Sequence, residues 1–236
     1  MTEEVFRQDA YARSCAARIT MVDELGVRLD RTVFYPLGGG QPGDTGDLVL
    51  DDGSTMRIVD TRKGEAPGEI VHVPETSVDP GLAGREITAR IDWERRHRLM
   101  RMHTCLHLLC SLVPAPVTGG SVRDGSGRLD FDLPESTLDK ADLTDRLNRL
   151  IAGDHPVTPR WISEEELDAN PSLVRTMSVA PPRGQGRVRV LDIAGVDLQP
   201  CGGTHVASSG EIGRVRVTKI EKKGRQNRRV TVALDH

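Results

Sequence analysis

Two pairs of residues in this chain have the types and spacing that suit a soft metal ion. His103 and His107 stand four apart in LMRMHTCLHLL, and far along the chain Cys201 and His205 stand four apart in QPCGGTH. Counting 100° per residue from Leu99, at the centre of an apolar stripe, His103 falls at about 40° and His107 at about 80°, side by side on the stripe's edge. Cys105 lies about 160° from both, so its thiol points away from any ion they hold. Cys110 reads as a small buried hydrophobe. A His-x-x-x-His pair alone is common, and the second cluster gives it weight. Gly202 and Gly203 let the chain turn so that Cys201 and His205 face one point. Three imidazoles and a thiolate form a tetrahedral set, and soft ligands select zinc over magnesium or calcium. Structural zinc usually clips short loops, whereas this set joins a helix to a distant turn, which favours catalysis. Four protein ligands close the site, so catalysis requires one of them, His205, to be loose.

A zinc protease shares the histidine spacing but needs a glutamate after the first histidine, and here that residue is Thr104. Without that general base, peptide hydrolysis is disfavoured, while an activated ester needs only a held water and a polarised carbonyl. Residues 38–43, GGGQPG, match the dinucleotide fingerprint in letters only, because DTGDLVLDD after them reads as turn and strand rather than helix. A hairpin needing positive φ and a bare backbone approaching a ligand explain the glycines equally well. Thr32, just upstream, is by type either a strand residue or a hydroxyl able to donate and accept. Basic residues gather at Arg95, Arg96, Arg98 and Arg101 on the histidine helix and at Lys222, Lys223, Arg225, Arg228 and Arg229 near the C-terminus. Each group is either a solvated face or a phosphate contact, and two such groups near a hydrolytic zinc suit a nucleic-acid substrate.

The elements that must position these residues follow from pattern. Short strands, ARITMV, VRLDRTVFYP, LVLDD, TMRIVDT, EIVHV and ITARID, fill the chain to about Arg90 and predict a small β barrel or sandwich. Leu99, Met102, Leu106, Cys110 and Val113 then recur at helical spacing, from an N-cap at Asp92 to a stop at Pro114. Beyond it the pattern predicts a strand at GRLDFDLP, a helix over 138–151, and strands at VTPRWIS, GRVRVLDI, GRVRVTKI and RRVTVAL, an α+β half with a largely antiparallel sheet. VAPPRGQGR, residues 179–187, is a loop too short to be a domain linker. The expected division is 1–90, a glycine-rich β barrel, and 91–236, an α+β domain with the zinc-bearing helix. A net charge of −3 gives no bulk attraction to polyanions, and four cysteines at irregular spacing suit a reducing cytosol. No apolar run is long enough for a membrane, and no targeting segment is evident, so a cytoplasmic protein is expected.

With these residues in view, the chain resembles the free-standing alanyl-tRNA editing proteins, relatives of the editing domain of alanyl-tRNA synthetase. DRTVFYPLGGGQPGDTG (30–46), LMRMHTCLHLL (99–109) and DLQPCGGTHVASSGEIG (197–213) carry the resemblance, and the glycine-rich element marks the medium-length class. It implies hydrolysis of tRNA(Ala) mischarged with serine or glycine, with zinc on His103, His107, Cys201 and His205. It also favours Thr32 as the group that tells serine from alanine, with Gly39, Gly40 and Gln41 beside the substrate and Arg98, Arg101 and the tail cations on tRNA. No dinucleotide cofactor or membrane is expected. One departure stands out: the glutamine that synthetase domains often carry after the histidines is replaced by Thr118 in PVTGGS. Two other readings share the same residues. One is editing of another tRNA, as in the related threonyl-tRNA synthetase fold, and the other is a non-catalytic zinc-stabilised RNA-binding module.

Overall fold

The computed structural model describes residues 2–134, 138–177, 184 and 186–235. Most of the expected VAPPRGQGR loop therefore lies outside the described residues. The chain forms two compact units, Met1–His97 and Arg98–His236. The division falls inside the histidine helix, where the sequence pattern suggested a change at 90/91.

The first unit is a closed antiparallel barrel. Its elements are β1 (Glu3–Glu4), α1 (Val5–Gln8), β2 (Ser14–Asp23), β3 (Gly26–Leu29), β4 (Arg31–Thr32), β5 (Gly46–Leu50), β6 (Thr55–Lys63), β7 (Ile70–Pro74) and β8 (Glu86–Ile91). The barrel order is β2-β3-β7-β6-β5-β8, and β1 pairs with β4 alongside. Inward residues alternate along the strands, so Ile19, Val27, Leu29, Leu48, Ile58, Ile87 and Ala89 close the core. Gly46 permits the approach of β8, since a Cβ there would sit 2.1 Å from the Arg90 carbonyl oxygen. The glycine-rich segment lies between β4 and β5, outside the barrel strands.

Helix α2 (Trp93–Leu112) follows. Asp92 stands at the expected start, but its carboxylate accepts from Thr45 Oγ1 (2.5 Å) and from Arg57. Arg96, in the first turn, is fully buried and donates to Asp44, to Val33 O (2.7 Å) and to Ala10 O (3.1 Å). Arg95 donates to Gly43 O (2.9 Å). These two arginines tie down backbone of the barrel unit, so they are structural rather than phosphate-facing.

The second unit adds β9 (Val117–Arg123), β10 (Ser126–Asp132), α3 (Lys140–Ala152), β11 (Val157–Ser163), α4 (Glu164–Ala169), β12 (Arg187–Ile193), β13 (Asp197–Pro200), β14 (Val215–Lys223) and β15 (Asn227–Leu234). Among the described residues there are two sheets instead of one, a four-stranded β14-β15-β10-β9 and a three-stranded β11-β12-β13, each antiparallel. The mixed α and β class with antiparallel sheets and a six-stranded barrel agrees with the α+β reading. Asp139 caps α3 by accepting from the Asp142 N–H (2.8 Å), and Leu143, Leu147 and Ile151 form its buried stripe. Short α4 escaped the sequence pattern because EEELDA has no apolar periodicity, although Ser163 caps it. Among the described residues no helix is long and apolar enough to cross a membrane.

One buried histidine gives the barrel unit a pH response. His72 donates from Nδ1 to Val27 O (3.0 Å), and burial pushes its pKa from 6.5 to about 4. Below pH 6.5 the unfolded chain takes up a proton there that the native barrel refuses. Stability is therefore complete above pH 6.5 and declines, by up to about 3 kcal/mol, as the pH falls toward 4. Urea unfolding at a series of pH values should show a shallower decline in His72→Gln than in wild type. Equal slopes would mean that His72 does not titrate as its burial dictates.

Candidate metal centre

Within the second unit, α2 and the turn after β13 bring the four expected ligands together. Their ligand atoms all lie within 4.8 Å of one another. Sγ of Cys201 is 3.7 Å from Nε2 of His103 and 3.2 Å from Nε2 of His205. A tetrahedral zinc with ordinary Zn–N and Zn–S bonds has ligand-to-ligand edges of about 3.3–3.6 Å, so these separations fit an ion with little movement. His103 and His107, one helical turn apart, have ring centroids 5.5 Å apart, and both rings face His205. His103, His107 and His205 are buried and Cys201 is half-buried, so the cluster reaches toward the surface on the side of the thiol.

The other cysteines behave as packing. Cys105 is fully buried, and burial pushes its thiol up to about 12, away from the thiolate a metal needs. Cys110 is also buried, with its thiol raised for the same reason. Burial acts on Cys201 in that direction too, but the imidazoles of His103 and His205 outweigh it and hold its pKa well below the thiol range. Burial drives the pKa of His205 down to about 3. In His107 burial works against the charged form, and hydrogen bonds to Asp197 and Cys201 overcome it, carrying the pKa up to about 10. The direction of the Cys201 shift favours the thiolate, the form of cysteine that binds metal.

Behind the ligands stand residues that spacing did not single out. Asp197 Oδ2 lies 3.3 Å from Nδ1 of His107, and Gln199 Nε2 donates to both carboxylate oxygens of Asp197 (2.9 and 2.8 Å). An Nδ1–H held by this carboxylate leaves Nε2 for the metal. Thr104 donates its one hydroxyl proton to Met100 O (3.0 Å), so its oxygen accepts from Nδ1 of His205 at 3.1 Å. The residue read as a missing glutamate is a brace. His205 is braced from behind by Thr104 and faces Cys201 in front. The turn also differs in cause from the expected glycine freedom. Neither Gly202 nor Gly203 is among the positive-φ glycines of the described residues. Arg189 Nη1 instead clamps the carbonyls of Cys201 (2.7 Å) and Gly203 (3.1 Å), while the Gly203 N–H reaches Sγ of Cys201 at 3.5 Å. A carboxylate four residues before the cysteine, in DLQPC, was the signal available for Asp197. Arg189 had none, because only strand pairing brings it to the turn.

The remaining candidates are placed differently. Thr32, in the barrel unit, is fully buried; its Oγ1 accepts from the Phe34 N–H (3.0 Å) and lies 2.8 Å from Nε2 of His72. Because Nδ1 of His72 donates to Val27 O, Nε2 is an acceptor and takes the threonine proton. Thr32 therefore has its donor engaged, and only an oxygen lone pair remains, where the sequence offered both roles. Gly39 (φ 57°) and Gly40 (φ 80°) form a two-residue turn closed by reciprocal bonds between Gly38 and Gln41 (3.1 and 3.0 Å), the geometry that demands glycine. Gln41 is buried. Strand β5 rather than a helix follows this segment, so it lacks the helix N-terminus that cradles a pyrophosphate.

Among the basic residues, Arg98 pairs with Asp124 and Arg101 donates to Ile212 O (2.8 Å). Arg228 shares the core face of β15 with Val230 and Val232 and donates to Pro134 O, so strand alternation removes it from the exposed cations. Arg229 is paired with Asp130 at 2.6 Å. Lys222, Lys223 and Arg225 remain exposed at the tip of the β14–β15 hairpin, around Gly224 (φ 71°). Thr118, where a glutamine was expected, donates to Asp130 O (3.1 Å).

Comparison with known proteins agrees with this layout. Residues 188–231 match the model of the threonyl and alanyl tRNA synthetase second additional domain, and residues 5–95 match that of class II (A) tRNA synthetases. The alanyl-tRNA editing protein AlaX-M of Methanosarcina acetivorans is 35% identical, with 99% of each chain covered. The protein of that name from Saccharolobus solfataricus is 32% identical over 98% of each. The alanine–tRNA ligase of Pyrobaculum neutrophilum is 35% identical over 94% of this chain but only 25% of its own length. With relatives of that name matched from end to end, and the His/Cys cluster assembled from its two separated motifs, the chain belongs to the family of alanyl-tRNA editing proteins.

Proposed function

We propose that this chain removes serine, or glycine, from mischarged tRNA(Ala), using a single zinc held by His103, His107, Cys201 and His205. The convergence of three imidazoles and one thiolate on one point carries this reading. Their softness suits zinc, which when bound would act as a Lewis acid toward the ester carbonyl. The chain's own residues supply the rest. Asp197 and Thr104 fix the ring orientations of His107 and His205, Arg189 holds the Cys201 turn, and burial of the three histidines lets charge developing on the ester be strongly felt. No glutamate or aspartate stands next to His103 as a general base, which suits an aminoacyl ester better than a peptide.

An enzyme that must accept serine and spare alanine has no steric solution, because the wrong amino acid is the larger one. It needs a polar group left unsatisfied unless the substrate hydroxyl is present, a device that discriminates far better than size. Thr32 is the candidate, with its lone pair accepting the serine hydroxyl proton and His72 holding its own proton out of the way. Gly39, Gly40 and Gln41 are proposed beside the amino acid. On the tRNA side, Lys222, Lys223 and Arg225 at the exposed hairpin tip are the favoured phosphate contacts, Lys223 giving up only a 3.7 Å pairing with Glu221, while Arg98, Arg101, Arg228 and Arg229 would have to leave closer partners. A cytoplasmic location suits a substrate produced by the translation machinery.

Three measurements test these assignments. Elemental analysis should return about one zinc per wild-type chain and little in Cys201→Ala, which should also lose deacylation of Ser-tRNA(Ala); a metal-free wild-type protein that still deacylates would sink the mechanism. Thr32→Val should lower the ratio of Ser-tRNA(Ala) to Ala-tRNA(Ala) cleavage at least about tenfold, with Thr32→Ser restoring it. An unchanged ratio would move discrimination elsewhere, with Gln41 next to be tested. Replacing Lys222, Lys223 and Arg225 together by alanine should weaken tRNA binding and flatten its salt dependence by about one log unit of slope per lost contact, leaving zinc content intact. Unaltered binding would show the hairpin tip to be only a solvated face.

A further inference from the structure

The three-stranded sheet β11-β12-β13 carries an exposed aromatic residue that the metal chemistry does not use. Trp161 on β11 stands directly opposite Arg189 on β12, and the Cys201 N–H donates to Arg189 O at 3.1 Å, one step beyond the Val190–Pro200 pair. Trp161, Arg189 and Cys201 therefore form one row across the sheet, and residues opposite one another in a row project from the same face. The rows Pro159–Leu191–Gln199 and Val157–Ile193–Asp197 repeat the arrangement on that face. The opposite face, with Ile162, Val188 and Val190, packs against Leu167 of α4. The indole thus rises from the face that bears the metal thiolate and the carboxylate behind His107. It stands two strands, or about 10 Å, from Cys201.

Trp161 is 49% exposed, and the guanidinium of Arg187 lies over its ring, 4.7 Å from the centroid. A scattered apolar residue at the surface is ordinary. Two things set this one apart, its row with the metal ligand and a cation already stacked on one side of it. Arg187 fixes the ring and adds positive charge beside it. A protein partner would want a contiguous apolar patch, whereas among the described residues the indole is seen with Arg187 over its ring and Arg189 opposite it.

We infer that Trp161, backed by Arg187, is the stacking platform for the 3′-terminal nucleobase of the tRNA. The inference rests on the reading of the chain as an aminoacyl-tRNA deacylase. In that substrate the scissile ester and the terminal base belong to the same ribose, so a base brought with its ester to the cluster must lie within one nucleotide of it. Stacking tolerates any base and needs no hydrogen-bond readout, which suits an end that all tRNAs share. The face of the indole away from Arg187 takes the base, and Arg187 completes a guanidinium–indole–base stack beside the terminal phosphate.

The probe is an uncharged acceptor-stem RNA hairpin ending in unpaired CCA, compared with the same hairpin lacking its terminal base. The chain has two tryptophans, so Trp93→Phe leaves Trp161 as the only indole emitter. The CCA hairpin should quench its fluorescence and the abasic hairpin should not. Trp161→Leu should weaken binding of the CCA hairpin about tenfold, leave the abasic hairpin and zinc content unchanged, and Trp161→Phe should recover most of the loss. Equal quenching by both hairpins, or equal weakening of both by Trp161→Leu, would overturn the platform. The binding readout does not depend on ester cleavage. A protein that stacks the base selectively yet releases no serine from Ser-tRNA(Ala) would support the platform and defeat the deacylase reading, while an active deacylase without selective stacking would do the reverse.

Discussion

The second unit is organised by one constraint, that three imidazoles and a thiolate from distant parts of the chain must meet at a buried point. His103 and His107 can contribute only if α2 stays helical through both positions, and Cys201 and His205 only if the chain turns sharply after β13. Burying such groups without partners would cost several kcal/mol. Every visible contact around them therefore orients or satisfies a polar atom: Asp197 with Gln199 behind His107, Thr104 behind His205, and Arg189 across the carbonyls of the turn. The sheet β11-β12-β13 serves this end, because its register delivers Asp197, Gln199 and Cys201 to one face.

The first unit is governed by closure. Six strands close on themselves and leave the barrel without a free edge, and polar groups buried against it are held in pairs such as the Arg96–Asp44 ion pair and the Thr32–His72 contact. Burial makes these contacts specific. A neutral His72 is a one-way partner, accepting at Nε2 and donating at Nδ1, and it commits the Thr32 proton. The same physics that stabilises the barrel thus narrows the chemistry Thr32 can offer to that of an acceptor. Arginines are used likewise: Arg96, Arg189 and Arg228 are buried and tie up carbonyls or a carboxylate, so a count of basic residues overstates the charge presented to a polyanion.

Much of this was legible in the residues themselves. Histidines four apart on a helical apolar pattern must share an edge of that helix, and a thiolate with imidazoles prefers a soft ion, so the cluster that the fold brings together could be named as a candidate without coordinates. Strand alternation and turn residues announced a first unit built of short strands, a barrel or a sandwich, and helical spacing announced α2 and α3. These features are local, set by a period of two or 3.6 residues and by the chemistry of single side chains. What only the tertiary structure decided depends on contacts between residues far apart in sequence. Pairing of β12 with β13 assigns Arg189 to the cysteine turn, and a helix-to-turn approach makes Thr104 a brace for His205. The side of β15 that meets the core removes Arg228 from the exposed cations, and strand register aligns Trp161 with Cys201. Composition and spacing carry no record of register, because a slip of one residue preserves every local pattern while sending each side chain to the opposite face.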